Sequence, residues 1–226
     1  MESHTRGQTS ILDVDNLECI RGDRRLFRDV SFSMTPGTLL QLTGPNGSGK
    51  TSLLRIICGL MMPENGEVRW KGAKIRSLGE EYSTAITYLG HRNGIKEELS
   101  PLENLRISTG LAGFDLSREQ AQLALKRVGL AGRENLPTRF LSEGQRRRSA
   151  LARLVACTTE LWVLDEVVAS LDAAAVKLVE SLIETHLSQE GIAIVATHHE
   201  LNLAAGSLQR LELAGVASGT VSLGLQ

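Results

Sequence analysis

The chain has 226 residues, 42% apolar and 23% charged, with 25 basic against 26 acidic side chains for a formal net charge of −1. These values describe an ordinary globular chain with room for one core and an inserted subdomain, and they exclude a globally basic nucleic-acid binder and an acidic disordered tail. Cys19, Cys58 and Cys157 are odd in number, widely spaced and set among apolar neighbours, so they read as three small core residues in a reducing compartment and not as a disulfide framework or zinc site.

Met1 to Ser10 is polar with no apolar run behind it, which reads against a secretory signal, and no window approaches the ~18 apolar residues of a membrane span. Any membrane is therefore expected to come through a partner. Ile11 to Cys19 and Leu26 to Phe32 are predicted strands joined by the charged turn Arg21-Gly22-Asp23-Arg24, a hairpin. Leu39 to Thr43 is a predicted buried strand, and after a Gly-rich loop Leu53, Leu54, Ile56, Ile57 and Leu60 recur at helical spacing, predicting a helix over Thr51 to Leu60. Ala85 to Leu89, Leu161 to Leu164 and Ile192 to Thr197 are short apolar runs suited to the interior of a parallel sheet. Between Asn93 and Phe140 the pattern is helical without strands, over Glu103 to Leu111 and Arg118 to Val128 with Ser117 as cap, so about 93–140 is expected to be a helical subdomain inserted into one domain spanning 1–226. Leu208 to Leu223 reads as two short strands around Ala214-Gly215, a closing hairpin. The predicted class is α/β, a mostly parallel sheet core with an N-terminal antiparallel β portion.

Gly44-Pro45-Asn46-Gly47-Ser48-Gly49-Lys50-Thr51 fits G-x-x-x-x-G-K-[ST] in the context that pattern requires, a buried strand before it and a helix after it. The glycines let backbone N–H groups turn inward around phosphates, and the helix N-terminus adds partial positive charge. Lys50 reaches the β- and γ-phosphates, and the Thr51 hydroxyl, with Ser52 beside it, faces Mg²⁺. A nucleoside triphosphate with Mg²⁺ is the expected ligand.

Leu161-Trp162-Val163-Leu164-Asp165-Glu166 places two acids at the carboxyl end of a buried strand, where parallel sheets gather ligands. Asp165 is expected to hold Mg²⁺ through its water shell and Glu166 to orient or deprotonate an attacking water, unless Glu166 merely caps the next helix. The strand over Ile192 to Thr197 ends in His198-His199, of which His198 is the better placed to bond a γ-phosphate. The candidate catalytic set is Glu166, His198 and Lys50. His186, in an amphipathic helix, is expected to be solvated, and the run Arg146-Arg147-Arg148 most simply forms a solvated helix face, the alternative being contacts with a partner copy, a bound nucleotide or a membrane subunit.

Leu141-Ser142-Glu143-Gly144-Gln145 resembles the LSGGQ signature of ATP-binding cassette ATPases, with Glu143 at the variable third position. Ser142 and Gln145 also satisfy a capping box, and a capped helix N-terminus is itself an anion site. The resemblance implies a phosphate-loop NTPase fold of the cassette type and an ATP-closed homodimer, in which this signature meets the γ-phosphate held by the other copy. It further implies that Ser170-Leu171-Asp172 is the D-loop contacting the opposite site. His91 falls where the family has a glutamine that senses Mg²⁺, and Arg21 where an aromatic stacks on adenine. Val167 replaces the proline after the catalytic glutamate.

Leu42 to Arg55, Tyr88-Leu89-Gly90-His91, Leu141 to Leu154 and Leu161 to Glu166 together resemble the ATP-binding subunits of bacterial cytochrome c maturation haem exporters, a likeness running from about Leu12 to about Leu213. It implies an ATP hydrolase at the cytoplasmic face of the inner membrane, peripheral and docked on integral-membrane permease subunits, with no nucleic-acid partner. Alternatives are the ATPase of another transporter, or a soluble cassette ATPase without transport, against which the lack of a tandem cassette or long coiled-coil insertion weighs. No residue pattern binds haem: Cys19 and Cys58 lack C-x-x-C-H.

Overall fold

The computed structural model describes residues 10–91, 93–168, 171–203, 207–214 and 222–225. Alternation of apolar and polar residues early in the chain closes the expected hairpin: β1 (Leu12–Arg21) and β2 (Arg24–Met34) pair antiparallel, with Arg21 opposite Arg24 across the turn. A second partner of β1 was not legible in the sequence. It is β4 (Asn65–Trp70), which with the short β5 (Ala73–Lys74) completes an antiparallel sheet in the order β2-β1-β4-β5. Only Val68 and Trp70 of β4 are buried, so its two-residue period is too brief to stand out.

The second sheet contains β3 (Thr38–Thr43), β6 (Ile86–Leu89), β7 (Leu161–Asp165), β8 (Ile192–Ala196), β9 (Ser207–Glu212) and β10 (Ser222–Leu225), in the order β10-β9-β3-β8-β7-β6. It is parallel from β6 to β9 and closes antiparallel at β10, which is the expected hairpin; residues 215–221 of its connection, Gly215 included, lie outside the described residues, as do Met1 to Thr9. Every residue of β7 and β8 is buried because both faces of this sheet are covered. Strand alternation divides two cores: Ile192, Ile194 and Ala196 pack toward the antiparallel sheet and α1 (Lys50–Ile57), while Ala193 and Val195 pack toward the helical side, including α7 (Ala173–Ser188). Two short helices, α2 (Ile75–Leu78) and α3 (Glu80–Thr84), lead into β6, and Tyr82 in α3 donates its hydroxyl to the Ile57 carbonyl at 2.7 Å.

Between β6 and β7 the described chain is helical: α4 (Pro101–Leu111), α5 (Arg118–Arg127), a 3-10 turn at Thr138–Phe140 and α6 (Glu143–Ala156). Each α-helix here starts with a capping box, Ser100 with Glu103, Ser117 with Gln120 and Ser142 with Gln145, which satisfies two N-terminal N–H groups locally, and in α4 the Leu102 N–H also donates to the Glu134 carbonyl at 3.0 Å. The helices α4, α5 and α6 pack on one another.

Three expectations require correction. The helix predicted to Leu60 stops at Ile57, because Gly59 takes a left-handed φ of 71° and turns the chain, which leaves Leu60 66% exposed. Cys19 and Cys157 are buried core residues, but Cys58 sits at the end of α1 and is only part-buried as a residue; desolvation of its thiol, followed by the charge of Asp165, pushes its pKa up to about 12. His186 is not solvated. It is buried on the inner face of α7, its ring stacked 4.0 Å from Trp162, with Nε2 donating to the Ile192 carbonyl at 3.1 Å.

Candidate functional site

The Gly-rich loop spans the gap between β3 and α1. Gly49 precedes the helix with φ 104°, and a Cβ built there would stand 2.9 Å from Phe27 Cδ1, so both backbone and packing demand glycine. Lys50 is buried and folds back across the loop, Nζ donating to the carbonyls of Gly44 at 2.6 Å and Pro45 at 3.2 Å. The Ser48 N–H also donates to the Pro45 carbonyl at 3.1 Å, while the Ser48 hydroxyl is buried without a partner among the described residues. No acidic residue occupies the first turn of α1, leaving its N-terminal N–H groups free of a competing carboxylate.

Two neighbouring parallel strands end beside this loop. At the end of β7, Asp165 is 2% exposed and its Oδ2 accepts a hydrogen bond from Thr51 Oγ1 at 2.9 Å. Glu166 then takes a left-handed φ of 55°, held by its N–H on the Ala196 carbonyl at 2.9 Å. Beyond β8, His198 Nε2 lies 3.8 Å from Glu166 Oε1 and 3.4 Å from Lys50 Nζ. His199 is tied back instead, its N–H on Thr197 Oγ1 at 3.0 Å and its carbonyl accepting from Gln41 Nε2 at 3.0 Å.

A cavity of about 640 Å³ forms where these elements meet. Of the residues singled out by sequence, Asn46, Gly47, Gly49, Lys50, Thr51 and Ser52 line it, with Asp165, Glu166, His198, His91 and Arg21 around them; Gly44, Pro45 and Ser48 form the loop without lining it. Arg24 and Leu26, not foreseen as site residues, also line it because the hairpin brings the start of β2 opposite Arg21. Its size suits a nucleotide, and its cations suit phosphates. The hydroxyl of Thr51 and carboxylate of Asp165 are hard oxygen donors side by side, which fits Mg²⁺. Among the described residues no group of three or more His, Cys, Asp or Glu could hold a metal, so such an ion would complete its shell from phosphate and water oxygens. His91 also borders a second cavity of about 540 Å³, lined by Arg55, Arg147 and Arg153 among others.

The segment Leu141 to Gln145 lies apart from the first cavity, and none of its residues lines it. Gln145 N–H donates to Ser142 Oγ at 3.3 Å and Ser142 N–H to Gln145 Oε1 at 3.0 Å, with Glu143 and Gly144 in the first turn of α6 and Leu141 buried beneath. Asp172 caps α7, accepting from the Ala175 N–H at 2.7 Å; Ser170 of the same predicted loop lies outside the described residues.

The arginine run is not a solvated face, because each side chain reaches a different functional segment. Arg146 pairs with Glu143 at 3.1 Å and Glu97 at 3.6 Å, and Arg148 pairs with Asp172 at 3.4 Å. Arg147 is 8% exposed and contacts the turn after β7 and the loop after β6. Burial pulls its pKa down while the charges of Glu143 and Asp165 push it back up. Helical periodicity alone could not separate these three neighbours; the outward slots of a helix become inward ones when other loops cover them.

The sequence pattern of the ABC transporter family matches residues 27–169. The cytochrome c biogenesis ATP-binding export protein CcmA of Nitrosospira multiformis is 55% identical over 198 residues, covering 88% of this chain and 96% of that protein. The proteins of the same description from Nitrosomonas europaea and Vibrio vulnificus are 53% and 42% identical, each covering 90% of this chain and 95% and 99% of their own length. An ATP-binding cassette of an ABC transporter, MJ1267 in its ADP conformation, superposes with a TM-score of 0.76 at 19% identity, covering 96% of this chain and 92% of its own. That last likeness concerns the fold.

Proposed function

Since the chain belongs to the ABC transporter family, we propose that its 640 Å³ cavity binds ATP with Mg²⁺ and that the energy of hydrolysis is passed to an integral-membrane haem exporter serving cytochrome c biogenesis. The protein is an ATP-hydrolysing subunit of such a complex. No helix among the described residues is long and apolar enough to cross a membrane, and we place the subunit on the cytoplasmic face of the bacterial inner membrane, held by permease subunits.

In this function the residues 1–226 act as one nucleotide-binding domain with the helical insert at about 93–140. The N–H groups of Gly44 to Ser52 and the Lys50 ammonium hold the phosphates, and the Lys50 donors exchange the loop carbonyls of Gly44 and Pro45 for phosphate oxygens. Thr51, Asp165 and His91 would hold Mg²⁺. When bound, the ion would supply positive charge against the phosphate oxygens. Glu166 takes the proton of the attacking water, and His198, within reach of Glu166 and Lys50, bonds the γ-phosphate and keeps that water in line. Arg21 stacks its guanidinium plane on the base. The signature Leu141 to Gln145, remote from the cavity of its own chain, and Asp172 serve the site of a second copy in an ATP-closed homodimer.

The observation that carries this function is the convergence of Lys50, Thr51, Asp165, Glu166 and His198 from three separate segments on one cavity. Glu166→Gln tests it: ATP binding measured by calorimetry is retained, while turnover falls by about 100-fold or more, the usual contribution of a positioned base. Unchanged turnover removes Glu166 from its role. Pull-down of that variant with ATP from detergent-solubilised membranes is expected to recover permease subunits and cytochrome c maturation proteins; a different permease would keep the ATPase and discard the haem pathway.

A further inference from the structure

The helix that begins at the signature carries a buried charged side chain for which the proposed chemistry has no use. Arg147 stands in the second turn of α6, and its guanidinium reaches two loops at once. On one side Nη2 donates to the Glu166 carbonyl at 2.9 Å and Nε to the Val167 carbonyl at 3.2 Å. On the other, Nη1 donates to Asn93 Oδ1 at 2.8 Å and lies 3.4 Å from the carbonyls of Gly90 and His91. A planar, rigid fork of five donors can serve acceptors on two loops simultaneously, which the point charge of a lysine cannot reproduce.

What Arg147 grips matters more than how many bonds it makes. Glu166 is a non-glycine residue at φ 55°, a backbone conformation that persists only where surroundings over-determine it. Two contacts hold its peptide groups: the Glu166 N–H on the Ala196 carbonyl, and the Glu166 carbonyl under Arg147. Rotation of either peptide would swing the carboxylate away from His198, now 3.8 Å off. The loop on the other side carries His91, which borders both the nucleotide cavity and the second cavity beside it.

We propose that Arg147 is a positioning residue for hydrolysis, locking the Glu166 turn so that its carboxylate faces the water and tying that turn to the His91 loop. The proposal rests on Glu166 being the group that activates water. Movement of the His91 loop, in either direction, is then transmitted to the carboxylate through one side chain.

Steady-state ATPase kinetics and calorimetric ATP binding on the full chain test this with Arg147→Gln, Arg147→Lys, Asn93→Ala and, as control, Glu166→Gln. Misplacing a catalytic group costs rate without costing ground-state binding, so Arg147→Gln is expected to lose about tenfold or more in kcat with KM and ATP affinity within about twofold. Arg147→Lys recovers part of the loss, and Asn93→Ala, which removes the 2.8 Å acceptor on the His91 loop together with the 3.2 Å bond from Asn93 Nδ2 to Glu143 Oε1, lowers kcat by about two- to threefold. In the Glu166→Gln background Arg147→Gln adds no further loss, because a carboxylate already removed cannot be misplaced. The proposal is overturned by a folded Arg147→Gln with parental kcat, by a joint fall of kcat and ATP affinity with lysine no better than glutamine, or by a full Arg147 effect persisting without Glu166. Should Arg147→Gln fail to fold, Arg147→Lys and Asn93→Ala decide by the same split of kcat from KM. Parental turnover in Glu166→Gln is a separate failure, since it removes the base itself and not its positioning.

Discussion

At Gly49 two independent constraints meet, a φ of 104° and a Phe27 ring carbon 2.9 Å from where a Cβ would stand. Gly49→Ala must therefore bend the loop or push the β2 side chain aside, and a non-glycine residue in such a conformation costs about 1–3 kcal/mol. The expected outcome is a chain that still folds, unfolding at lower urea concentration, with ATP affinity reduced at least about tenfold by calorimetry, since the N–H groups that cradle phosphate no longer converge. Parental affinity would mean that the loop tolerates displacement and that Lys50 alone carries phosphate binding. Lys50, Thr51, Asp165 and His198 were legible as single letters because each sits at a fixed offset from a loop or strand end. Arg147, Arg24 and Leu26 were not: their roles depend on what covers them, and no local spacing encodes that.

On the scale of elements, α7 is clamped to β7 and β8 through His186, which stacks on Trp162 and donates to the Ile192 carbonyl. Desolvation lowers the pKa of this histidine below its ordinary 6.5, so the native state prefers the neutral ring. The unfolded chain then binds a proton that the native chain refuses. The stability contributed by His186 is complete above about pH 6.5 and declines as pH falls from there through the lowered native value. Urea unfolding from pH 8 to pH 5 is expected to show this decline, and His186→Phe, which keeps a stacking ring but no titratable group, is expected to flatten it. At pH 8 the same variant starts about 1–2 kcal/mol lower because the Ile192 carbonyl loses its donor. An identical slope in both proteins would assign the acid sensitivity elsewhere. Sequence periodicity placed this helix but misjudged His186, since the apolar stripe of an amphipathic helix does not show which polar residue at its border finds a buried acceptor.

For the whole molecule, the separation of the signature from the cavity of its own chain is the decisive feature. Leu141 to Gln145 present a capped helix start, with the anion-attracting end of α6, yet line no part of the nucleotide cavity. In the proposed homodimer a second copy supplies the anion. Light scattering on Glu166→Gln is expected to give the monomer mass without nucleotide and twice that mass with ATP, and Ser142→Ala in the same background is expected to weaken the ATP-dependent dimer. A mass indifferent to ATP would withdraw the exchange of signatures between copies.

The α/β class, the phosphate loop, the paired acids, the histidine after β8 and the family are readable from the amino acids in order, because these depend on short spacings that local geometry enforces. Capping at Ser117 and Ser142 was equally local. The assembled fold was needed to see that β4 joins β1, that α1 ends before Leu60, that His186 is buried and that three consecutive arginines serve three different segments. In each of these cases the outcome depends on burial by residues distant in the chain. Covering a polar side chain changes its preferred charge and demands partners, and the identity of the cover is set only when the strands and helices have been assembled.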